Sequence, residues 1–301
     1  MHYPAAFTAG LLNAQPMGFW SPQSLVADAK RHGVVVRRPD VNAGRATAGL
    51  EEVDGTGPGV VRLGLASVRG VGEETATRIE EGRPWSGQED LVRRAGVTRA
   101  QLEALATAGA LDNLGPVGTG GRAGGTGGVP NRRSLVWGAG AAAQATTDRL
   151  PGVVTGSDPP PLPVPTLWEG VADDLWSLGM TPDTTAMELA RHRLSQRGVL
   201  PAAALRSRPG GDRITVGGVV THRQQPESAH GAVFLNLEDE TGMVNVVCSR
   251  GAWARWKPVA RASPALLVVG RVERSEGSMT LVAERFETLD LGPVPPSRDF
   301  R

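Results

Sequence analysis

Two clusters in this 301-residue sequence carry the residue types that hold a phosphate or a base. The first is Val68-Arg69-Gly70-Val71-Gly72, followed by Thr75, Ala76, Arg78 and Ile79. Gly70 and Gly72 permit a tight turn with positive backbone angles. Backbone N–H groups there, with the start of a following helix, can cradle one phosphate. Val71 would plug the turn into a core, with Val68, Ala76 and Ile79 in register, while Arg69 and Arg78 supply charge. Glu73 and Glu74 suit a helix start but repel phosphate. The bland reading is a plain turn between two helices. The second cluster is His222, Arg223, Phe234, Asn236 and Asn245. An outward Phe234 with polar neighbours can stack a base. His222 and Arg223, in the loop after a strand, can hold a phosphate. The alternative packs Phe234 under a helix.

Other reactive groups point to less. The carboxylate pairs Glu51-Glu52, Glu73-Glu74 and Asp173-Asp174 read as solvated faces, and no catalytic residue is assigned to them. The histidines lack metal-ligand spacing, so no metal site and no zinc are expected. Cys248 is the only cysteine, which excludes an intrachain disulfide. Its place in an alternating run predicts a core thiol.

The elements that would position these clusters are legible from periodicity. Five segments alternate apolar and polar residues: 213–222, 231–238, 243–249, 265–274 and 278–286. A helix over 251–262 separates the third from the fourth. Strand-strand-strand-helix-strand-strand is the order of an OB-fold, whose barrel face binds single-stranded nucleic acid. Another small β-barrel used for protein contacts is the alternative. In the second segment Val233, Leu235 and Leu237 face the core; Asp239 and Glu240 stay in solvent at the next turn, which Gly242 takes. Upstream, helices are predicted over 5–13, with Phe7, Leu11 and Leu12 toward a core, and from Pro22, capped by Ser21. Others cover 88–95, 132–145, 166–179 and 187–198, the last with a basic stripe of Arg191, Arg193 and Arg197. Thr98 to Gln101 forms a capping box. Residues 115–128 hold eight glycines and read as a flexible insertion. Residues 151–165 are Pro-rich and extended. Trp168 and Trp176 read as packing residues.

Charge sets a limit. Segments 1–112, 113–212 and 213–301 carry 12, 9 and 11 basic side chains against 13, 8 and 10 acidic ones, and the net charge is +1. Nucleic-acid binding must therefore come from local patches and depend on salt. No run approaches a membrane helix in length, and no signal peptide is visible. A cytoplasmic protein without membrane partners is expected.

The block NAQPMGFWSP followed by ADAKRHGV, then DLVRRAGVTRAQLEALATAGALD, THRQ and FLNLEDETGMVNVV, resembles bacterial C-family DNA polymerases. The resemblance is closest to the error-prone alpha-type subunit of damage-induced mutagenesis, and it covers nearly the whole chain. It implies a carboxy-terminal part of such a polymerase, of mixed α + β class. Residues 1–58 would end a fingers domain, 59–114 form a helix-hairpin-helix region and 115–212 linkers with helices. An OB-fold would follow over 213–290, with a tail over 291–301. The resemblance implies DNA as partner, single-stranded and as primed duplex, together with the missing polymerase portion or mutagenesis accessory proteins. It places nucleotidyl transfer and its Mg2+ in a palm domain that no motif here matches, so this chain is expected to hold no cofactor and to be inactive alone. A standalone nucleic-acid-binding protein, including one for RNA, and a protein-interaction module of the mutagenesis complex are the competing readings.

Overall fold

A computed structural model describes residues 3–51, 59–114, 131–149, 159–275 and 278–300. The glycine-rich tract 115–128, read as an insertion, lies outside the described residues, as does 151–158 of the Pro-rich stretch. In chain order the elements are α1 (Pro4–Asn13), α2 (Pro22–Arg31), β1 (Val35–Arg37), β2 (Gly49–Glu51) and β3 (Val60–Arg62). Then come α3 (Glu73–Glu81), α4 (Gln88–Ala95), α5 (Arg99–Thr107), α6 (Arg132–Ala142), α7 (Leu167–Leu178) and α8 (Ala186–Gln196). The last group is β4 (Arg213–Gln224), β5 (Val233–Asp239), β6 (Gly242–Cys248), α9 (Arg250–Ala262), β7 (Ala265–Ser275), β8 (Ser278–Thr288) and β9 (Arg298–Phe300). No helix among the described residues is long and apolar enough to cross a membrane.

The chain forms two units, one of residues 1–18 and 32–183, the other of 19–31 and 184–301. In the first, β1 pairs parallel and β2 antiparallel with the central β3. These three-residue strands are too short to show a period. α1 packs beside β2 and β3. It buries Ala5, Thr8 and Ala9 and leaves Phe7 half exposed, not the predicted Phe7-Leu11-Leu12 face, because small side chains let a helix approach a sheet closely. The helical part of this core includes Ile79, Leu91, Leu102 and Leu105, all fully buried. Thr98 and Gln101 form the expected capping box on α5. Asp174, read from sequence as part of a solvated face, is instead buried and ion-paired with Arg38, which also meets Asp183. Burial pushes the Asp174 carboxyl up from its ordinary value, against the pull of Arg38.

In the second unit β4, β5, β6, β8 and β7 close into a five-stranded barrel, because β4 pairs with both β7 and β5; β9 adds parallel to β4 outside it. The alternation expected of the strands is observed: Val233, Leu235, Leu237, Val244, Val246 and Cys248 point into one core with Val268 and Phe286. Burial raises the Cys248 thiol to about 11. Gly270 sits at the bulge between β7 and β8, where a Cβ would collide with the carbonyl of Val282. Asp239 does not stay in solvent. Its carboxylate is buried and accepts from the backbone N–H groups of Thr241, Gly242 and Ala202 at 2.8, 3.1 and 2.8 Å. Of the expected basic stripe on α8, Arg191 pairs with Asp239 and Glu240 and Arg197 with Glu287, while Arg193 donates to the Asp290 carbonyl.

Helix α2 belongs to this second unit. The Ser21 hydroxyl caps it by accepting from the Ser24 N–H. Ser24 and Arg31 donate to the two oxygens of Glu238 on β5 at 2.9 and 3.1 Å. Burial raises Glu238 above the ordinary carboxylate range, opposed by the charge of Arg31 and the Ser24 hydroxyl.

Candidate nucleic-acid interface

The first candidate surface is the turn into α3. The Val71 N–H donates to the Val68 carbonyl at 2.9 Å, and Gly70 between them has φ +73°. A turn of this kind demands a positive angle at its third residue, which glycine supplies without strain. Gly72 does not share that role. Its φ is −72° and ψ 171°, extended backbone open to any residue, which corrects the expectation of positive angles at both glycines. Val68, Val71, Ala76 and Ile79 are all buried, so the hydrophobic plug forms as the pattern suggests. A Cβ built on Gly70 or Gly72 meets nothing within 4 Å. The N–H groups of Gly72, Glu73 and Glu74 find no acceptor among the described residues. These are the donors that a helix start leaves over.

The side chains around this turn divide into supports and open groups. Gln101 of the α5 capping box donates through Nε2 to the Gly70 carbonyl at 3.0 Å. Thr75 is buried; its hydroxyl accepts from Arg78 at 3.1 Å. Arg78 donates further to the Ala95 carbonyl and to Glu74 at 3.0 and 2.6 Å. Thr75 and Arg78 therefore brace the helix start. Arg69 is exposed. Its N–H donates to the Ser177 carbonyl at 2.7 Å, and its guanidinium lies over the Trp176 ring, 5.1 Å from the centroid. Trp176, expected to be packed, is 46 % exposed beside the turn. Only the fold brings it there.

The second candidate surface is the outer face of β5 and β6. Phe234, Asn236 and Glu238 share that face of β5, and Asn245 pairs directly with Asn236 across the strands. Phe234 is 37 % exposed and Asn245 is exposed, whereas Asn236 is half-buried. His222 and Arg223 lie on β4, not in a loop, because the strand runs to Gln224. Both are buried. The His222 ring stacks on Phe19 at 4.1 Å and its Nε2 bonds the Phe19 carbonyl at 2.7 Å. Arg223 donates to the carbonyls of Ala260 and Ser263 at 2.9 and 2.6 Å, and also to Ser297 and Asp299. A cation at these last carbonyls satisfies a helix C-terminus. The two residues expected at a phosphate thus anchor segment 19–31 and α9. Phe19 and Trp20, 37 % and 39 % exposed and edge-to-face with each other, leave aromatic surface next to His222. Among the described residues no group of three or more His, Cys, Asp or Glu is placed to hold a metal ion.

Residues 33–118 match a family model described as a helix-hairpin-helix motif, and 214–289 match one described as an OB-fold nucleic acid binding domain. Over its whole length the chain is 51 % identical to an error-prone DNA polymerase of Nocardia farcinica, across 306 residues. The chain is homologous to one region of the error-prone DNA polymerases. Further relatives of that name are 48 % identical over 305 residues in Mycobacterium tuberculosis strain H37Rv and 41 % over 345 residues in Cutibacterium acnes. All of this chain is covered in each case, but it spans only 26 %, 26 % and 29 % of these polymerases. The mixed α and β class, the hairpin and the OB-type barrel agree with the expectations drawn from sequence.

Proposed function

We propose that this chain is the DNA-gripping portion of an error-prone DNA polymerase acting in repair and damage bypass. Its hairpin holds a phosphate of duplex DNA, and its barrel holds single-stranded template. The observation that carries this reading is the turn at Val68–Val71: a buried plug, a glycine at φ +73° and open N–H groups, without an acceptor among the described residues, at the start of α3. Such a turn offers partial positive charge without a long side chain, which suits a phosphate approached closely and without sequence preference. Phe234 supplies a stacking surface on the barrel, with Asn245 beside it. Catalysis belongs to palm carboxylates and their magnesium in the rest of the polymerase, and the chain alone does not extend a primer. Its partners are primed DNA and that remaining portion.

Fluorescence anisotropy with labelled DNA and RNA strands of one sequence, run alongside primer extension, tests this reading. Salt-sensitive DNA binding without extension is expected. Nucleotide incorporation by the pure chain, or a clear preference for structured RNA, would contradict it.

A further inference from the structure

The chain as a whole is nearly neutral, yet one helix concentrates unmatched positive charge. α9 carries Arg250, Arg255, Lys257 and Arg261 and no acidic residue. All four side chains belong to exposed residues. None forms an ion pair among the described residues, whereas Arg31, Arg191, Arg197, Arg213 and Arg271 of the same unit each meet a carboxylate. The opposite side of α9 is committed to the barrel: Ala260 is buried, and Trp253, Trp256 and Val259 pack on the core. The Trp256 ring carries the Arg255 guanidinium at 5.5 Å from its centroid, and its Nε1 donates to the Glu284 carbonyl at 3.0 Å. The nearby Glu284 carboxylate is taken by Arg213 and Arg271. Glu284 is thus engaged by two other arginines and makes no ion pair with α9.

We propose that α9 is a second contact surface for single-stranded nucleic acid, gripping the phosphate backbone of a strand whose base stacks at Phe234. Three observations favour this occupant. The face is purely cationic, and arginine forks suit phosphate oxygens. It is continuous with the stacking surface: Val247, directly opposite Phe234, leads through Cys248 and Ser249 into Arg250, and the Arg250 side chain lies against Gly231 before β5. The other end of the strand face is closed by α2 through Ser24, Arg31 and Glu238, so a strand at Phe234 has its open route toward α9. This surface is the helix between β6 and β7, distinct from the strand face that OB-folds commonly use. The inference rests on the reading that the chain binds DNA.

The test is anisotropy of the full chain with a labelled oligothymidylate across a salt series. It compares the unchanged chain, Arg255→Gln/Lys257→Gln/Arg261→Gln, and a control, Arg37→Gln/Arg99→Gln/Arg149→Gln, which removes the same charge from the first unit. Each phosphate contact on a single strand contributes about 0.7 to the slope of log affinity against log salt. The α9 variant is expected to lose about 2 from that slope and roughly a hundredfold in affinity at 0.1 M salt by the same relation. The control is expected to keep the slope. An unchanged slope in the α9 variant, while the parent chain binds, overturns the α9 surface and leaves DNA binding standing. An equal loss in the control overturns it as well, since net charge alone would then suffice. No binding by the parent chain at low salt overturns both readings. Lysine- and arginine-dependent binding of α9 to phosphatidylglycerol vesicles without binding to the oligonucleotide would assign the helix to a membrane surface instead.

Discussion

Gly70 and Gly72 stand two residues apart, and the structure predicts opposite outcomes for replacing each with alanine. Gly70 has φ +73°, so an L-residue there is strained although its Cβ would meet nothing within 4 Å. The left-handed conformation costs about 1–2 kcal/mol, which lowers the melting temperature of a unit this size by roughly 2–8 °C. Gly72 has φ −72° and ψ 171°, comfortable for alanine, and its Cβ also enters open space. At this N-cap alanine is worse than glycine by roughly 0.5–1 kcal/mol, and its stiffer unfolded chain offsets that by about 0.4–1 kcal/mol. Gly72→Ala should therefore melt as the parent does. In the proposed cradle, however, its methyl group would crowd a phosphate drawn to the N–H groups of Gly72, Glu73 and Glu74. A hydrogen bond to a charged group contributes about 1.5–3 kcal/mol, so duplex DNA should bind roughly ten- to a hundredfold more weakly. Differential scanning fluorimetry and anisotropy with a labelled duplex read the two effects separately. Full duplex affinity in Gly72→Ala would refute the phosphate cradle. An unchanged melting temperature in Gly70→Ala would refute the strained turn.

Arg38→Ala should destabilise the first unit by about 3–5 kcal/mol, because it leaves the buried Asp174 without its partner, whereas the exposed Arg99→Ala should change it by under about 0.5 kcal/mol; chemical denaturation distinguishes them. Cys248, buried and raised to about 11, should react with a thiol reagent at pH 8 only after unfolding in guanidinium; prompt reaction in the native protein would contradict its burial. Glu238 titrates above its ordinary value of 4.5 in the fold, so the folded state holds this proton more tightly than the unfolded chain does. Its contribution to stability is thus full below that ordinary value and declines as pH rises through the raised one. The melting difference between the parent and Glu238→Gln should shift in the parent's favour as pH falls from 8 toward 5, and the opposite trend would refute the sign.

Local signals carry much of the fold. Alternation locates Val233, Leu235 and Leu237 inside the barrel, and cap chemistry locates the start of α2 and the box at Thr98 and Gln101. What escapes depends on residues far apart in sequence. The burial of His222 comes from Phe19, and that of Arg223 from the carbonyls ending α9. Helix α2 joins the barrel through Glu238, 214 residues from Ser24. A strand position near a turn looks the same in sequence whether or not such a segment covers it. The angle at Gly72 is hidden for a different reason: glycine tolerates positive φ, but an extended residue before a helix needs none. The charge on α9 is visible as a run without acid, but only the fold shows that no carboxylate among the described residues forms an ion pair with it.

The most direct test of a DNA-gripping module with two contact surfaces is the affinity of the full chain for a primed junction. It is compared with single strand and duplex of equal length, each across a salt series. Two linked surfaces acting on one molecule raise affinity beyond either alone, so the junction should bind most tightly and with the steepest salt dependence. Equal affinity for all three would contradict joint use of the hairpin and the barrel, and no binding at low salt would contradict DNA gripping itself.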